Sequence, residues 1–568
     1  MGPDKKKQLK LTAVYVVLIC LFTVAGLWLR KNPLFTGQGF HMPKTPAPPV
    51  STYTPYEHTE LVAVMSQETP AAGPAEPAQA TPRFYTSERA VAFTFSGLRN
   101  ERELEGVLAA LKNTNSRATF FVTAEEMENQ AGLIEEIQRA GHSLGISVPL
   151  TENARADQLL KSIQAQAQEL RTKYRARYEI FLMPAAGSGS AALLQAAASG
   201  GFRVLTALKE AVPEKASRMT DADQVLALLF NENEGALQRG EIVHFQMGIF
   251  QYSDAILGEL VERLIAGKCV YPVRSCDAIA ENRDKIYEYP LPDSRILPAV
   301  KNKIHPGHLA GMSPDEVYQV IKDGYIGIEW IVSTYFLPGF TPQQADQLDK
   351  TGIIKNDQNY VFLTFDDWGT DATVERLLQV LDKHNATATF FVKTEYVPYN
   401  PNLLRGIAAA GNTVGAHTHA HMELANEIYP TYYKELDEEQ RAALEQDIVT
   451  CYDTMQHIIG DMVDADGKPS LSLLFRQPTL AVGKNGLETV FDCGYTHAIA
   501  GYYTTTDYKA ESVEALVKDL REHIVPGAVL VMHFSDNAQY TAEALDILLT
   551  EYEDSGSEYR FVGLNKVL

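Results

Sequence analysis

The sequence is short of cysteine and of basic residues, and each shortage argues against a class of protein. Five cysteines in 568 residues do not make a disulfide framework. The 50 lysines and arginines are outnumbered by 72 aspartates and glutamates, which gives a net charge of -22 and a pI near 5.1. Such an acidic chain argues against nucleic acid as a partner, although it selects no particular substrate.

One long apolar run stands near the N-terminus. The uncharged stretch Leu11–Leu29 follows four lysines and precedes Arg30 and Lys31. Its length suits a bilayer span, and the excess of lysine before it predicts that the N-terminus stays inside the cell. Residues 1–31 are therefore predicted to be a cytoplasmic tail and signal anchor, with a cleaved signal peptide as the alternative. This predicts a single-pass protein of the cell membrane whose remaining chain is extracellular.

Residues 32–83 are rich in proline, alanine, threonine and glutamate and lack a sustained hydrophobic period. They are predicted to form a disordered stalk. After them the chain carries an internal repeat, because Ala118–Val122 and Ala388–Val392 both read ATFFV. Ala92–Ser96 and Phe362–Asp366 share the same offset of 270 residues (388 minus 118, 362 minus 92). Two copies of one α/β domain are predicted, at 84–280 and 357–568, with 281–356 as a connecting segment packed between them.

The second copy opens with a strand, a helix and a strand. Val361–Phe365 and Ala388–Val392 are buried-strand patterns, and Val374, Leu377, Leu378 and Leu381 fall on one helix face. A βαβ unit implies a parallel sheet. Asp366 and Asp367 then lie at the carboxyl end of the first strand, where α/β folds carry their active sites.

The two copies differ in polar residues while keeping the same apolar frame. The second-copy residues that are lost in the first are therefore not needed for folding, and are candidates for chemistry. In the sequence alignment Asp366 and Asp367 become Ser96 and Gly97, His417 becomes Ser147, Arg476 becomes Leu182, His533 becomes Gln246, and nothing replaces His421.

His417 and His421 are four residues apart, so that on a helical turn they could bind one metal ion. Arg476 and His533 each follow an apolar, strand-like run. Each feature taken alone also has an ordinary explanation as a turn, a solvated loop, a surface arginine or a core histidine. Together they predict carboxylates, histidines and an arginine at the ends of successive strands, which suits a hydrolytic metal site.

The ordered motifs TFDD (364–367), H-T-x-x-H (417–421), R-x-P (476–478) and V-M-H (531–533) resemble the NodB-type polysaccharide deacetylases, carbohydrate esterase family 4. The resemblance implies two copies of a distorted (β/α) barrel, the first of them degenerate. It also implies that Asp367, His417 and His421 bind one divalent metal ion, usually zinc.

The resemblance implies further roles at the same edge. Asp366 would be the general base, oriented and kept ionised by Arg476. His533 would be the general acid that protonates the leaving amine, and Asp507 would orient it. The backbone N–H of Thr479 would contact the oxyanion.

These implications predict a metal-dependent deacetylase that removes N-acetyl groups from an extracellular amino-sugar polymer, with peptidoglycan as the first candidate. The same machinery also serves O-acetyl esters. A non-catalytic glycan-binding or scaffold protein is a second class of function, and a glycosidase using Asp366 and Asp367 is a third. The first copy is expected to be non-catalytic, and either to pack on the second or to help hold a glycan chain.

Overall fold

The computed structural model of the protein describes most of the chain beyond residue 76. All described residues belong to one compact unit, Gly73–Leu568. The predicted membrane span 11–29 and nearly all of the predicted stalk lie outside them. Within the described part, no helix combines the length and the apolar character that crossing a membrane requires. The described ranges are 77–149, 154–176, 179–185, 187, 189–211, 214–230, 235–328, 337–429 and 432–568.

Among the described residues, the first domain forms a nine-stranded parallel sheet. Its strands are β1 (Ala80–Thr81), β2 (Val91–Ser96), β3 (Thr119–Val122), β4 (Ser143–Val148), β5 (Leu182–Pro184), β6 (Val204–Leu205), β7 (Lys209–Glu210), β8 (Ile242–Gln246) and β9 (Val273–Arg274). The order is β1-β6-β5-β4-β3-β2-β8-β7, and β9 also pairs with β2.

The second domain repeats this arrangement in its described residues. Its strands are β10 (Tyr325–Ile326), β11 (Tyr360–Asp367), β12 (Thr389–Val392), β13 (Thr413–Ala416), β16 (Leu471–Phe475), β17 (His497–Ile499), β18 (Tyr503–Thr504), β19 (Val529–His533) and β20 (Arg560–Val562). The order is β10-β17-β16-β13-β12-β11-β19-β18, and β20 also pairs with β11. A separate antiparallel pair is formed by β14 (Asn426–Tyr429) and β15 (Tyr432–Lys434).

Helices connect the strands of each sheet. In the first domain these are α1 (Glu101–Asn113), α2 (Ala124–Asn129), α3 (Ala131–Arg139), α4 (Ala156–Thr172), α5 (Ala191–Gly200), α6 (Ala222–Leu229), α7 (Ile256–Lys268) and α8 (Cys276–Glu281). After them come α9 (Pro314–Gly324), α10 (Pro342–Gln347), α11 (Asp371–Lys383), α12 (Pro401–Ala409), α13 (Glu438–Ile459), α14 (Lys484–Asp492), α15 (Val513–Glu522) and α16 (Thr541–Asp554).

The strand register reproduces the sequence repeat. Phe95 pairs with Phe120 across β2 and β3, and Phe365 pairs with Phe390 across β11 and β12. Both pairs keep the predicted offset of 270 residues (365 minus 95, 390 minus 120). The prediction of two α/β domains built on parallel sheets is therefore confirmed.

Apolar side chains from the sheets and helices form the cores. Helix α11 buries Val374, Leu377, Leu378 and Leu381, the face that its periodicity predicts. Full burial of one such side chain contributes roughly 1.5–3 kcal/mol. The cysteines in the described residues are free, in agreement with a chain that lacks a disulfide framework.

The segment predicted as a connection, 281–356, contributes to the second domain. Its strand β10 pairs with β17 at the end of the second sheet. Buried side chains of the segment, such as Leu291, Val300 and Ile321, belong to the same apolar cluster as Phe365. These residues are therefore part of the second domain's core, and not only a bridge between the two domains.

Candidate active site at one edge of the second sheet

The polar residues singled out in the sequence meet at one edge of the second sheet. Asp366 and Asp367 end β11, and His533 ends the neighbouring strand β19 as the register partner of Asp366. His417 directly follows β13 and Arg476 directly follows β16, and these two strands also pair. Because the sheet is parallel, the carboxyl ends of its strands all reach this edge, where α/β folds bind ligands.

Asp366 and Arg476 form a buried ion pair. Arg476 Nη1 donates to both carboxylate oxygens of Asp366, at 2.9 and 3.0 Å. Arg476 Nη2 donates to Thr364 Oγ1 at 2.9 Å, and the guanidinium lies 4.5 Å from the centre of the Phe391 ring. Burial raises the pKa of Asp366, and the charge of Arg476 opposes that rise. The contacts hold the Asp366 carboxylate in one orientation.

Asp367, His417 and His421 form a group of side chains that could hold a metal ion. Asp367 Oδ1 lies 3.7 Å from His417 Nε2 and 3.6 Å from His421 Nε2, and the possible ligand atoms all lie within 4.8 Å of one another. Atoms bound to one zinc ion at about 2.1 Å with tetrahedral angles would lie about 3.4 Å apart. The observed spacing therefore fits a single small divalent ion. The described residues contain no second group of this kind.

A hydrogen bond fixes which nitrogen of His417 can bind a metal. Nδ1 lies 2.9 Å from the carbonyl oxygen of Arg476, and a carbonyl only accepts, so that Nδ1 carries the proton. The unprotonated Nε2 then faces Asp367. Burial, followed by the nearby His421, lowers the pKa of His417 to about 3, and so the ring is neutral at pH 7. A neutral imidazole held by a carbonyl is the usual form of a metal-binding histidine.

The backbone around these ligands is strained. Asp367, Thr418 and His421 have φ angles of 86°, 60° and 62°. Left-handed conformations of non-glycine residues cost on the order of 1–3 kcal/mol each and persist where the surrounding structure fixes them. Gly97, the first-domain counterpart of Asp367, has φ 81° and carries no side chain there. The two domains therefore make the same turn at this position. Only the second domain bears the steric cost of a positive φ, because it has a non-glycine residue there.

Asp447 on α13 fixes the loop that carries the histidines, and sequence reasoning missed it. Its carboxylate oxygens accept hydrogen bonds from the backbone N–H groups of His419, at 2.5 Å, and Ala420, at 2.9 Å. The His419 ring turns away from the metal-ligand group, and its Nδ1 lies 3.0 Å from Thr394 Oγ1. His419 therefore lies outside the ligand group, and Asp447 positions the loop.

His533 and Asp507 form a second polar pair. His533 Nδ1 donates to Asp507 Oδ1 at 2.7 Å, and Asp507 Oδ2 accepts from the His533 backbone N–H and from Thr541 Oγ1. Burial lowers the pKa of His533, but the hydrogen bond and charge of Asp507, with the charge of Asp366, outweigh it and raise the pKa above its usual value. The Nε2 atom is thus the nitrogen available for proton transfer.

Thr479 lies in the turn Pro478–Leu480 that follows β16. It is exposed, with a φ of 55°, and its Oγ1 donates to Glu423 Oε1 at 2.9 Å. Glu423 comes two residues after His421 and has no motif that would mark it in the sequence. The turn brings Thr479 to the loop of the candidate metal ligands.

The first domain has a different set of side chains at the corresponding edge. The register partner of Ser96 is Gln246, as Asp366 pairs with His533. Ser96 Oγ lies 2.9 Å from both His244 Nε2 and Gln246 Oε1. A Cβ atom on Gly97 would lie only 2.0 Å from Gln246 Nε2. The space used by Asp367 in the second domain is therefore filled by an amide in the first.

One predicted correspondence is wrong by a residue. Leu182 was expected at the position of Arg476, but Leu182 pairs with Ile146 just as Phe475 pairs with Ala416. The first-domain residue after that pair is Met183, which is buried in the apolar cluster of that domain. A methionine therefore stands where the second domain has its buried arginine.

A family model described as polysaccharide deacetylase matches residues 85–205 and 354–498. The peptidoglycan-N-acetylglucosamine deacetylase PgdA of Listeria monocytogenes is 27% identical over 36% of this chain and 38% of its own length. A peptidoglycan-N-acetylglucosamine deacetylase of Bacillus cereus is 26% identical over 39% of this chain and 96% of its own length. The peptidoglycan-N-acetylmuramic acid deacetylase PdaA of Bacillus subtilis is 23% identical over 36% of this chain and 69% of its own length.

The match with the Listeria protein thus spans well under half of that relative's length. The two segments of the family match fall on both sheets, in agreement with the repeat. The resemblance that the motifs predict is confirmed, and residues 85–205 and 354–498 belong to the polysaccharide deacetylase family.

Proposed function

We propose that the second domain is a metal-dependent hydrolase that removes N-acetyl groups from an extracellular amino-sugar polymer, with peptidoglycan as the favoured substrate. The observation that carries this proposal is the group of Asp367, His417 and His421 beside the Asp366 carboxylate at one sheet edge. The activities named for the bacterial relatives support it. The identical strand order of the two sheets supports the distorted (β/α) barrel that the family implies.

Asp366 is the general base in this proposal. Its carboxylate accepts the proton of the water that attacks the acetyl carbonyl, and Arg476 keeps it oriented during the transfer. Positioned bases of this kind contribute typically 10²–10⁴-fold to the rate. The N–H of Thr479 then donates to the oxygen of the tetrahedral intermediate.

His533 is the general acid. Its Nε2 gives a proton to the amine nitrogen as the C–N bond breaks, which releases acetate and the free amino sugar. Asp507 accepts from Nδ1 and so directs the other nitrogen toward the reacting group. The raised pKa of His533 keeps the ring protonated before the transfer.

Asp367, His417 and His421 would hold the metal ion, and their one oxygen and two nitrogen donors suit zinc. When bound, such an ion polarises the acetyl carbonyl and lowers the pKa of water toward about 7. The neutral His417 ring and its hydrogen bond to the Arg476 carbonyl prepare one ligand in advance.

The arrangement of the two carboxylates argues against a glycosidase. Asp366 is committed to the ion pair with Arg476, and Asp367 lies between two histidine rings. A glycosidase needs one of two carboxyl groups to act as an acid across the scissile bond. Neither the Asp366 nor the Asp367 carboxyl group is therefore placed to act as that acid.

Acetate release tests the proposal. We expect the metal-loaded full chain to release acetate from N-acetylglucosamine oligomers or purified peptidoglycan, and chelation to stop it. Asp367→Ala should lose the activity, whereas Asp357→Ala, an exposed aspartate ahead of β11, should keep it. Release from acetylated xylan alone would favour an O-acetyl esterase. If neither metal binding nor acetate release is found, the scaffold interpretation becomes the better one.

The pH profile should report the His533–Asp507 pair. The acid works only while protonated, so that kcat/KM falls as the pH rises through the pKa of His533. Asp507→Asn removes the charge that raises this pKa, and we expect the basic limb to move to lower pH by about 1–3 units. Asp346→Asn, which alters an exposed ion pair with Lys350, serves as the matched control. An unmoved basic limb in Asp507→Asn would exclude His533 as the titrating acid.

A further inference from the structure

The two domains meet through buried charged side chains. The interdomain network consists of Arg239 and Tyr271 of the first domain and Asp371, Glu375 and Asn402 of the second. None of these side chains is more than slightly exposed. Isolated charges in such surroundings cost several kcal/mol, and that cost is offset only when each charge has its partners. The network is therefore satisfied only while the two domains stay together.

Asp371, the first residue of α11, is held from both sides. Its Oδ1 accepts hydrogen bonds from the Arg239 backbone N–H at 2.9 Å and from the Tyr271 hydroxyl at 2.8 Å. Its Oδ2 accepts from Asn400 Nδ2 at 2.6 Å, just ahead of α12. Two of its three partners thus belong to the first domain. The start of helix α11 is therefore held in part by groups that the catalytic domain does not supply.

The Arg239 side chain reinforces this contact. Its Nη2 lies 2.9 Å from Glu375 Oε2, one turn further along α11, and both side chains are 3% exposed. Its guanidinium packs so closely on α12 that a Cβ atom on Gly406 would lie 2.6 Å from Arg239 Cζ. Without Arg239, Glu375 would keep only Arg89, which is half exposed, as its counter-charge.

Asn402 binds the first domain from the next helix, α12. Its Oδ1 accepts from the Thr86 backbone N–H at 3.0 Å and, at 2.9 Å, from the hydroxyl of Tyr287 in the segment that follows the first domain. Its Nδ2 donates to the carbonyl oxygens of Phe84 and Arg239, at 2.8 and 2.6 Å. The first domain therefore contacts the starts of two successive helices, α11 and α12.

The segments that lead into α11 and α12 both come from the candidate site. Only three residues, 368–370, separate Asp367 from Asp371. The chain that leads from β12 to α12 donates the Lys393 N–H to the Asp367 carbonyl at 3.0 Å, and the Thr394 N–H to the Thr418 carbonyl at 3.3 Å. A shift of either helix start would therefore act on the backbone that carries Asp367 and on the histidine loop.

We propose that the degenerate first domain positions the metal ligand and base of the second, and that Tyr271 and Arg239 are the positioning residues, which act on helix α11 through Asp371 and Glu375. This proposal rests on the proposed function for its catalytic readout, but not for its structural one. The first domain keeps its fold and lacks the site because its contribution is the contact with α11 and α12. Because the second domain needs this contact, the first domain is retained although it has no site of its own.

The test compares Tyr271→Phe and Arg239→Met with the unaltered full chain. Tyr271→Phe removes one hydrogen bond to Asp371 with little change in volume, and Arg239→Met removes the pair with Glu375. Arg263→Met is the matched control, because Arg263 makes an exposed ion pair with Asp223 in the same domain. The readouts are zinc affinity, kcat and KM for acetate release, and amide hydrogen exchange of the peptide spanning residues 361–373.

We expect both variants to fold, to bind zinc about 10-fold or more weakly and to lose kcat with little change in KM. We also expect faster exchange in 361–373, whereas Arg263→Met should match the unaltered chain. Should Tyr271→Phe and Arg239→Met only lower the unfolding temperature, with exchange of 361–373 and zinc affinity unchanged, the proposal is overturned. Hydrogen exchange of residues 361–373 tests the positioning proposal even if the unaltered chain releases no acetate. A lack of acetate release would count against the proposed function alone.

Discussion

Asp366→Asn should lower kcat by about 10²–10⁴-fold while zinc still binds. The substitution keeps the shape of the side chain and leaves Asp367, His417 and His421 untouched, so that the candidate metal ligands stay in place. An amide cannot accept the proton from the attacking water at neutral pH. The measurement is kcat for acetate release, taken together with a zinc titration of the same preparation.

The control for this prediction is Asp357→Asn, which changes an exposed carboxylate ahead of the same strand. It should leave both kcat and zinc affinity unaltered. If Asp366→Asn kept full kcat, a different group would have to be the base. If it lost zinc as well as turnover, Asp366 would be acting as a ligand, against the geometry of its pair with Arg476.

Arg476→Met should destabilise the protein by about 3–5 kcal/mol, which is the usual cost of leaving one partner of a buried ion pair alone. Arg476 is fully buried, and its guanidinium bonds to Asp366, Thr364 and the Ile499 carbonyl. Methionine would leave the Asp366 carboxylate without its counter-charge in an environment that already raises its pKa. Urea unfolding, monitored by circular dichroism, measures the change.

The first domain supplies a matched rescue for this variant. It has Ser96 and Met183 where the second domain has Asp366 and Arg476, and it packs them without any buried charge. The double variant Asp366→Ser, Arg476→Met should therefore regain much of the lost free energy of unfolding while remaining inactive. Additive losses in the double variant would contradict the idea that the pair is coupled in this way.

The sequence located the candidate site because five of its residues follow or close an apolar strand pattern. Asp366, Asp367, His417, Arg476 and His533 all directly follow or close such a run, and a parallel sheet brings those ends to one edge. Comparison of the two copies added a second criterion. Polar residues that the first domain lacks are not needed for folding, and so they are candidates for the chemistry at this edge of the sheet.

The misplaced counterpart of Arg476 shows where that comparison fails. Two residues separate Phe475 from Pro478, but only one separates Leu182 from Pro184. An alignment that pairs these two prolines therefore places Leu182 opposite Arg476, whereas the strand pairing places Met183 there. The order of residue types alone does not show that the extra residue lies between the strand end and the proline.

Contacts between distant elements could not be predicted. Asp447 lies on a long helix, and nothing in the sequence around it indicates that it binds the backbone of the histidine loop. Asp371 and Glu375 resemble the solvated charges of an amphipathic helix, although both are buried against the first domain. The strand β10 has two residues, too few to show a period.

The amide of Gln246 above Gly97 makes the loss of the first site hard to reverse. An aspartate introduced at position 97 would meet Gln246 Nε2 at 2.0 Å and the Met247 carbonyl at 2.9 Å before it could contact any metal ion. A side chain at position 97 therefore requires the Gln246 side chain to turn away and the backbone carbonyl of Met247 to move. A single substitution at position 97 is therefore not enough to rebuild the metal-ligand group in the first domain.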